Sequence, residues 1–184
     1  MSDFFWQGNL VKLRAIEPSD WEHHFAWDKD SDMLRRVDRL YAPRSQEAMR
    51  QWAEKASMRE VNDDAYFFEI ENLVGEQVGI ISTQKGNTRD GTFQYGVAIR
   101  REHWRKGYAS EAIKIVLRYF FQELRYQKVT TPVYSFNDAS IHMHEHLGFQ
   151  LEGHLRRMIY TQGQFYDELF YGMTEEEFRE KYSE

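Results

Sequence analysis

From Ile99 the chain reads I-R-R-E-H-W-R-K-G-Y-A, and the segment from Arg100 to Arg118 carries six basic side chains, Arg100, Arg101, Arg105, Lys106, Lys114 and Arg118, against two acids, Glu102 and Glu111. The whole chain has a formal net charge of -6, so this local excess needs a cause. The start of a helix leaves backbone N–H groups unpaired and presents the positive end of the macrodipole. A glycine there, Gly107, lets a ligand approach the main chain closely. A basic, glycine-containing loop that opens a helix reads as a seat for phosphate or pyrophosphate. On charge alone, a turn with a solvated basic face reads equally well. The segment contains neither G-x-x-x-x-G-K-[ST] nor G-x-G-x-x-G after a strand, which removes the usual signatures of ATP and dinucleotide loops.

Other chemistry-bearing residues are fewer. His142, His144 and His146 alternate along one segment. On a helix such positions lie ~200° apart, so their rings diverge and no metal site is expected. With no cysteine in the chain there is no thiol nucleophile, disulfide or thiolate zinc site. Asp28, Asp30, Asp32, Asp38 and Asp167 are candidates to attract a cationic amine, or else exposed loop acids. The acids from Glu175 to Glu184 read as a solvated tail.

The elements that position these residues follow from periodicity. A strand is expected over Leu10 to Ile16, then a helix through Asp28 opened by a capping box of Ser19 and Glu22. A second helix runs from Gln46 to Arg59. Aromatic and β-branched runs at 66–70, 77–83 and 92–99, separated by turn-prone Gly75, Gly86, Asn87 and Gly91, predict antiparallel hairpins. From Ala109, apolar residues recur at Ala112, Ile113, Val116, Leu117, Phe120, Phe121 and Leu124, the stripe of one long helix. A strand over 128–134, a short helix from Asn137 to Gly148 and two strands near 154–160 and 167–172 complete the chain. Strand 92–99, the long helix and strand 128–134 have the length of a right-handed crossover, which makes those two strands parallel. The expected class is α+β (mixed α/β), with helices on both faces of a mixed, mostly antiparallel sheet.

Length and composition set the frame. The 184 residues suit a single domain, 1–184, with one core. No window reaches the ~18 apolar residues of a membrane span, and Met1 is followed by Ser2 and Asp3 without a basic stretch and apolar run, so a cytoplasmic protein is expected. The acidic balance argues against nucleic acid as a partner.

The run R-R-E-H-W-R-K-G-Y-A-S-E-A, residues 100–112, resembles the acetyl-CoA pyrophosphate loop of the GNAT N-acetyltransferases, [QR]-x-x-G-x-[GA]. Gly107 and Ala109 match, and Trp104 stands where the general family has Gln or Arg, as in the branch of the ribosomal-protein N-terminal acetyltransferases. L-V-K-L-R-A-I-E-P-S-D at 10–20, Asn137 with Ser140, L-G-F at 147–149, Glu152 with Gly153, and Gly163 with Asp167 are similar to the family in order and spacing. The likeness spans nearly the whole chain, and its 141–149 segment is similar to the spermidine acetyltransferases.

The resemblance implies a GNAT-like fold in which strands 92–99 and 128–134 splay apart to take the pantetheine of acetyl-CoA, the cosubstrate. Val97 and Ile99 would supply main-chain bonds to it, Arg105, Lys106, Gly107, Tyr108, Ala109 and Ser110 the phosphate cradle, and Asn137 and Ser140 further contacts, with a helix N-cap as the alternative role of Asn137. It implies direct acetyl transfer to a primary amine: a polyamine, a small amine or a protein N-terminal amine. The N–H near Ile99 would polarise the thioester carbonyl. Two positions depart from relatives. Gln94 replaces a Glu and cannot act as a base, leaving Glu69 as a substitute. His144 replaces a Tyr that protonates the leaving thiolate, a role open to histidine, with a surface histidine as the alternative. A non-catalytic acyl-CoA-binding regulatory module of the same fold is the alternative reading, and a homodimer or larger homo-oligomer is left open.

Overall fold

The computed structural model describes residues 4–59 and 64–182. Met1 to Asp3 and Glu184, used above for the chain start and the acidic tail, lie outside the described residues. The strands are β1 (Val11–Ala15), β2 (Phe67–Asn72), β3 (Gln77–Asn87), β4 (Thr92–Ile99), β5 (Lys128–Tyr134), β6 (Gln150–Thr161) and β7 (Gln164–Thr174). The helices are α1 (Trp21–Trp27), α2 (Ser31–Val37), α3 (Gln46–Ser57), α4 (Tyr108–Arg118), α5 (Asp138–Leu147) and α6 (Glu175–Tyr182). The seven strands form one mixed sheet in the order β1-β2-β3-β4-β5-β7-β6, with β4 and β5 parallel. Among the described residues no helix is long and apolar enough to cross a membrane.

The chain divides into two compact units. In the first, Met1–Ser82 with Val97–Ile115, β1 pairs antiparallel with β2 and β2 with β3, so that Leu13 faces Ile70 and Ile70 faces Gly79. Leu13 and Ile70 are buried in its core. α1 does begin after Ile16, but the expected cap is corrected. Ser19 and Glu22 are exposed, while the carboxylate of Asp20, at the end of a 3-10 turn over Pro18–Asp20, accepts the N–H of Glu17 at 2.7 Å and both arms of the Arg14 guanidinium at 2.7 and 2.8 Å. A buried carboxylate needs such partners, and Arg14 on the adjacent strand supplies them. α2 has no counterpart in the sequence expectations; it is short and capped by Asp30, whose Oδ1 accepts the N–H of Met33 at 3.0 Å. α3 is capped by Ser45, which accepts from Ala48, and it buries Met49 and Ala53.

A carboxylate in the first turn of α4 fixes the N-terminal segment. Glu111 accepts the N–H groups of Asn9, Leu10 and Val11 at 2.9, 2.6 and 2.8 Å. β1 and the start of α4 are thereby clamped together within this unit.

The second unit holds Thr83–Gly96 and Val116–Glu184. Its parallel ladder pairs Thr92, Phe93 and Gln94 with Lys128, Val129 and Thr130, and at the next positions the hydroxyl of Thr131 donates to the carbonyl of Tyr95 at 3.2 Å. The long helix expected to Leu124 departs from α geometry. After Arg118 the chain makes a π turn over Tyr119–Glu123, with the N–H of Leu124 on the carbonyl of Tyr119 at 3.2 Å. Phe120 stacks on Phe93 at 3.9 Å and Phe121 meets it edge-on at 6.1 Å. The wider turn keeps two successive aromatics on one buried face, where an α turn rotates the second further away. The segment read as a solvated acidic tail folds as α6, which buries Phe178 against Phe121 at 5.5 Å. β6 and β7 are longer than expected and pair antiparallel, and β7 pairs antiparallel with β5.

Glu111→Ala should cost about 2 kcal/mol, since hydrogen bonds to a charged acceptor outweigh neutral ones. Urea unfolding checks this, and an unchanged midpoint would show that the clamp carries no stability.

Candidate functional site

In the first unit the end of β4, the loop after it and the start of α4 form one continuous feature. The N–H of Arg100 donates to the carbonyl of Val78 at 2.9 Å. β3 approaches this stretch so closely that a Cβ at Gly79 would lie 2.4 Å from the carbonyl oxygen of Ala98. The carbonyl of Ile99 is taken by the indole Nε1–H of Trp104 at 2.7 Å. Arg105 and Gly107 then adopt left-handed backbone conformations, φ 61° and 82°, before Tyr108, Ala109 and Ser110 form the first turn of α4. Left-handed residues just ahead of a helix bend successive N–H groups into a concavity that suits an anion. Trp104 to Gly107 are exposed and Tyr108 to Ser110 half-buried, so the cradle is open to a ligand. At Gly107 the positive φ and Leu10 Cδ1, 3.1 Å from a built Cβ, both disfavour a side chain.

The remaining site residues of the sequence reading gather on α5 in the second unit. Asn137 is the N-cap, its side chain accepting the N–H of Ser140 at 3.3 Å. His144 lies one turn further and is 2% exposed. Its Nδ1 is 2.7 Å from the carbonyl of Ser140, which requires a donor, so Nδ1 carries the hydrogen and Nε2 accepts from the hydroxyl of Tyr95 at 2.8 Å. Burial lowers the His144 pKa to about 4, against the opposing pull of the Ser140 carbonyl. The ring is therefore neutral at pH 7, and the surface-histidine alternative is corrected: the side chain is in the core, with no imidazolium proton to give. Burial also lifts the Tyr95 phenol well above its usual range. Gln94 donates to Thr130 Oγ1 at 3.3 Å, while its Oε1 is buried without a partner among the described residues.

The acids proposed to attract a cation are already paired. In the first unit Asp28 takes the Arg44 fork at 2.8 and 2.8 Å, Asp30 takes Arg101 at 2.9 and 2.7 Å, Asp32 meets Arg35 at 3.3 Å, and Asp38 meets Arg39 at 3.3 Å. The Arg101 guanidinium holds the Asp30 carboxyl below its ordinary pKa. Glu69 is fully buried between His24, at 2.7 Å, and Gln77. In the second unit Asp167 accepts the Arg157 N–H at 2.8 Å and His154 Nε2 at 2.6 Å, and the first of these, with the second, keeps its carboxyl below the usual range.

A family model described as "Acetyltransferase (GNAT) domain" matches residues 11–150. The chain belongs to the GNAT family of N-acetyltransferases. It is 43% identical over 179 residues to the SPbeta prophage-derived uncharacterized N-acetyltransferase YokL of Bacillus subtilis strain 168, across 97% of each chain. It is 24% identical over 155 residues to the spermidine N(1)-acetyltransferase of Escherichia coli K12, across 84% of this chain and 81% of that protein. Its fold matches the crystal structure of spermidine N-acetyltransferase from Vibrio cholerae in complex with CoA and spermine with a TM-score of 0.81 at 21% identity, over 93% of this chain and 99% of that one.

Three features of this GNAT domain were outside the sequence reading: the bond from Tyr95 to His144, the bond from Trp104 to Ile99 and the Glu111 clamp. The first and third join residues far apart in sequence, while Trp104 and Ile99 are five residues apart. Trp104 and His144 both carried a signal, as departures from the family pattern.

Burial of neutral His144 fixes a sign. Unfolded, the ring takes a proton below its ordinary 6.5; folded, it does so only near 4, so the native state is penalised as pH falls through that interval. His144→Gln, which keeps an acceptor for Tyr95, should lose less stability between pH 6.5 and 4 than the wild type in denaturant titrations. Equal losses would show that the ring protonates in place at no cost.

Proposed function

We propose that this chain is an acetyl-CoA-dependent N-acetyltransferase that transfers the acetyl group directly to a primary amine, of a polyamine, a small amine or a protein N-terminus. The observation that carries this reading is the end of β4 with its loop: the carbonyl of Ile99 turns onto Trp104, and left-handed Arg105 and Gly107 lead into the start of α4. That arrangement suits a ligand with an extended amide-bearing arm and a pyrophosphate. Arg105, Lys106, Gly107, Tyr108, Ala109 and Ser110 are assigned to the pyrophosphate, Val97 and Ile99 to the pantetheine arm, and Asn137 and Ser140 to further cofactor contacts. The family match through residues 11–150 supports one catalytic domain over the chain, and we assign it to the cytoplasm.

In the step itself a neutral amine nitrogen attacks the thioester carbon, a C–N bond forms, the C–S bond breaks, and one nitrogen-bound proton is lost to solvent while the sulfur gains another. An N–H at Ile99 would hold the carbonyl oxygen as it becomes anionic. The sulfur's proton is assigned to the Tyr95–His144 pair. The phenol hydrogen rests on Nε2 of neutral His144, would pass to the leaving sulfur as the C–S bond breaks and be replaced from solvent; burial lifts the phenol's pKa and so works against this transfer, not for it. The names of the spermidine acetyltransferase relatives support a polyamine as acceptor, whereas the paired aspartates do not add to that support.

The non-catalytic acyl-CoA-binding reading draws on Gln94, which offers no carboxylate where relatives have Glu. Release of free thiol from acetyl-CoA, measured against polyamines, aminoglycosides and peptides with free N-termini, separates the two. Amine-dependent release is expected; binding of acetyl-CoA with no release across the panel would favour the regulatory module. Gly107→Asp should abolish acetyl-CoA binding in calorimetry, because a carboxylate repels the pyrophosphate, and unchanged affinity would overturn the loop assignment. Tyr95→Phe should lower turnover roughly a hundredfold with little change in acetyl-CoA affinity. Wild-type turnover in that variant would remove the pair from the reaction.

A further inference from the structure

Glu168 stands on β7 between Tyr134 of β5 and Leu155 of β6 in the sheet register, and it is half-buried. Among the described residues every other carboxylate that is not exposed has a hydrogen bond or an ion pair; Glu168 has neither. Basic residues are close by in the chain. The bulge after Leu155 carries Arg156 and Arg157, yet the groups there turn to Asp167, which accepts the Arg157 N–H at 2.8 Å and His154 Nε2 at 2.6 Å, while the Arg157 guanidinium lies over Phe165 at 4.6 Å. Strand alternation puts Asp167 and Glu168 on opposite faces. Rings surround the unpaired acid instead. Side chains two apart share a face, so Tyr166 and Phe170 flank Glu168 along β7, and Tyr134, directly opposite on β5, has its Cβ ~5 Å away. Phe136 meets Tyr166 edge-on at 4.7 Å and Tyr134 at 5.5 Å. α5 packs on the other face of the strands, where His144 stacks on Tyr171 at 5.9 Å.

We propose that Glu168, with Tyr134, Phe136, Tyr166 and Phe170 around it, is the site that reads a second cationic nitrogen on the acceptor, so that the chain prefers amines carrying a further ammonium group to monoamines. A carboxylate among aromatic faces supplies charge and quadrupole attraction together, and an ammonium arriving there has no guanidinium to displace. A half-buried acid is costly to leave unpaired, so pairing it gains more than pairing a solvated one. The strand that carries it is held in place: the N–H of Ser135 donates to the carbonyl of Asp167 at 3.0 Å, and Ser135 Oγ accepts the N–H of Asp167 at 3.1 Å. That anchor lies two residues before Asn137, which is assigned to the cofactor. The preference among acetylated amines rests on the proposed function, whereas the binding of a dication at Glu168 does not.

Thiol release from acetyl-CoA with spermidine, 1,6-diaminohexane and hexylamine tests this. The wild type is expected to favour each dication over hexylamine by about tenfold in kcat/KM. Glu168→Gln, which keeps the shape and removes the charge, is expected to abolish that preference by raising KM for the dications about tenfold, with kcat and the hexylamine values little moved. Glu168→Asp should retain most of the preference, and Tyr166→Leu should reduce it about threefold. A wild type without the preference, or equal losses toward dications and hexylamine in Glu168→Gln, overturns the site. If no amine is acetylated, the proposed function is refuted, and calorimetry of spermidine with the protein decides the site alone. Binding about tenfold weaker in Glu168→Gln than in the wild type upholds it; equal affinity, or no binding to the wild type, overturns it.

Discussion

Three backbone N–H groups converging on the carboxylate of Glu111 are the constraint on which the loop between β4 and α4 depends. An acid in the first turn of α4 is favoured by the helix dipole, yet it also brings negative charge beside a cradle suited to anions. Turning that carboxylate onto Asn9, Leu10 and Val11 satisfies it within the protein and leaves the basic side chains of the loop to set the local field. The same contact brings Leu10 to Gly107, where a built Cβ would lie 3.1 Å from Leu10 Cδ1. The glycine is thus required twice, by its positive φ and by the segment that Glu111 holds against it. Sequence motif and tertiary clamp specify one geometry from opposite sides.

Strands and the site helix were legible because their signals are local. β4 and β5 begin and end where alternation places them, and α5 starts after Asn137 and stops at Gly148, both with strong capping preferences. α2 was missed because Met33, Leu34 and Val37, though at helical spacing, are too short a series to stand out; buried Met33 and the Asp30 cap hold it. The acids of α6 concealed a helix for the opposite reason, since one buried aromatic, Phe178, is enough to dock it. At the π turn the apolar series was read correctly as one buried stripe, but the pitch that carries it follows from Phe93, a residue far away in sequence. Among the candidate site residues, the turn before α4 was legible from its glycine, whereas the partner of His144 was not, because nothing in a spacing announces which side chain will arrive from another element.

Electrostatics around the candidate acceptor acids runs against a simple reading of composition. The aspartates between Asp28 and Asp38 suggest a surface that collects polycations. In the folded chain Asp28, Asp30, Asp32 and Asp38 each face an arginine, and Asp30 also caps a helix. A cationic acceptor approaching them has to displace a guanidinium that is already in place, and the gain from that exchange is small where both partners are solvated. The net charge of the chain therefore says little about which amine it takes. Specificity has to come from groups that are not already committed to one another.

His144 shows how a buried imidazole has its tautomer set by its neighbours. The His144 ring is 2% exposed, and its Nε2 takes its hydrogen bond from a neighbouring side chain. Tyr95 on β4 reaches that nitrogen at 2.8 Å, so the hydroxyl beside His144 comes from the sheet. The bond holds only with the hydrogen of His144 on Nδ1, and the carbonyl of Ser140 enforces that tautomer. A Phe at position 95 would leave a buried acceptor unpaired, and a protonated ring would face a carbonyl on one side and a hydroxyl on the other with no counter-ion. The two residues therefore form one hydrogen-bonded unit: the ring accepts, the phenol donates, and removing either leaves the other's buried polar group unpaired.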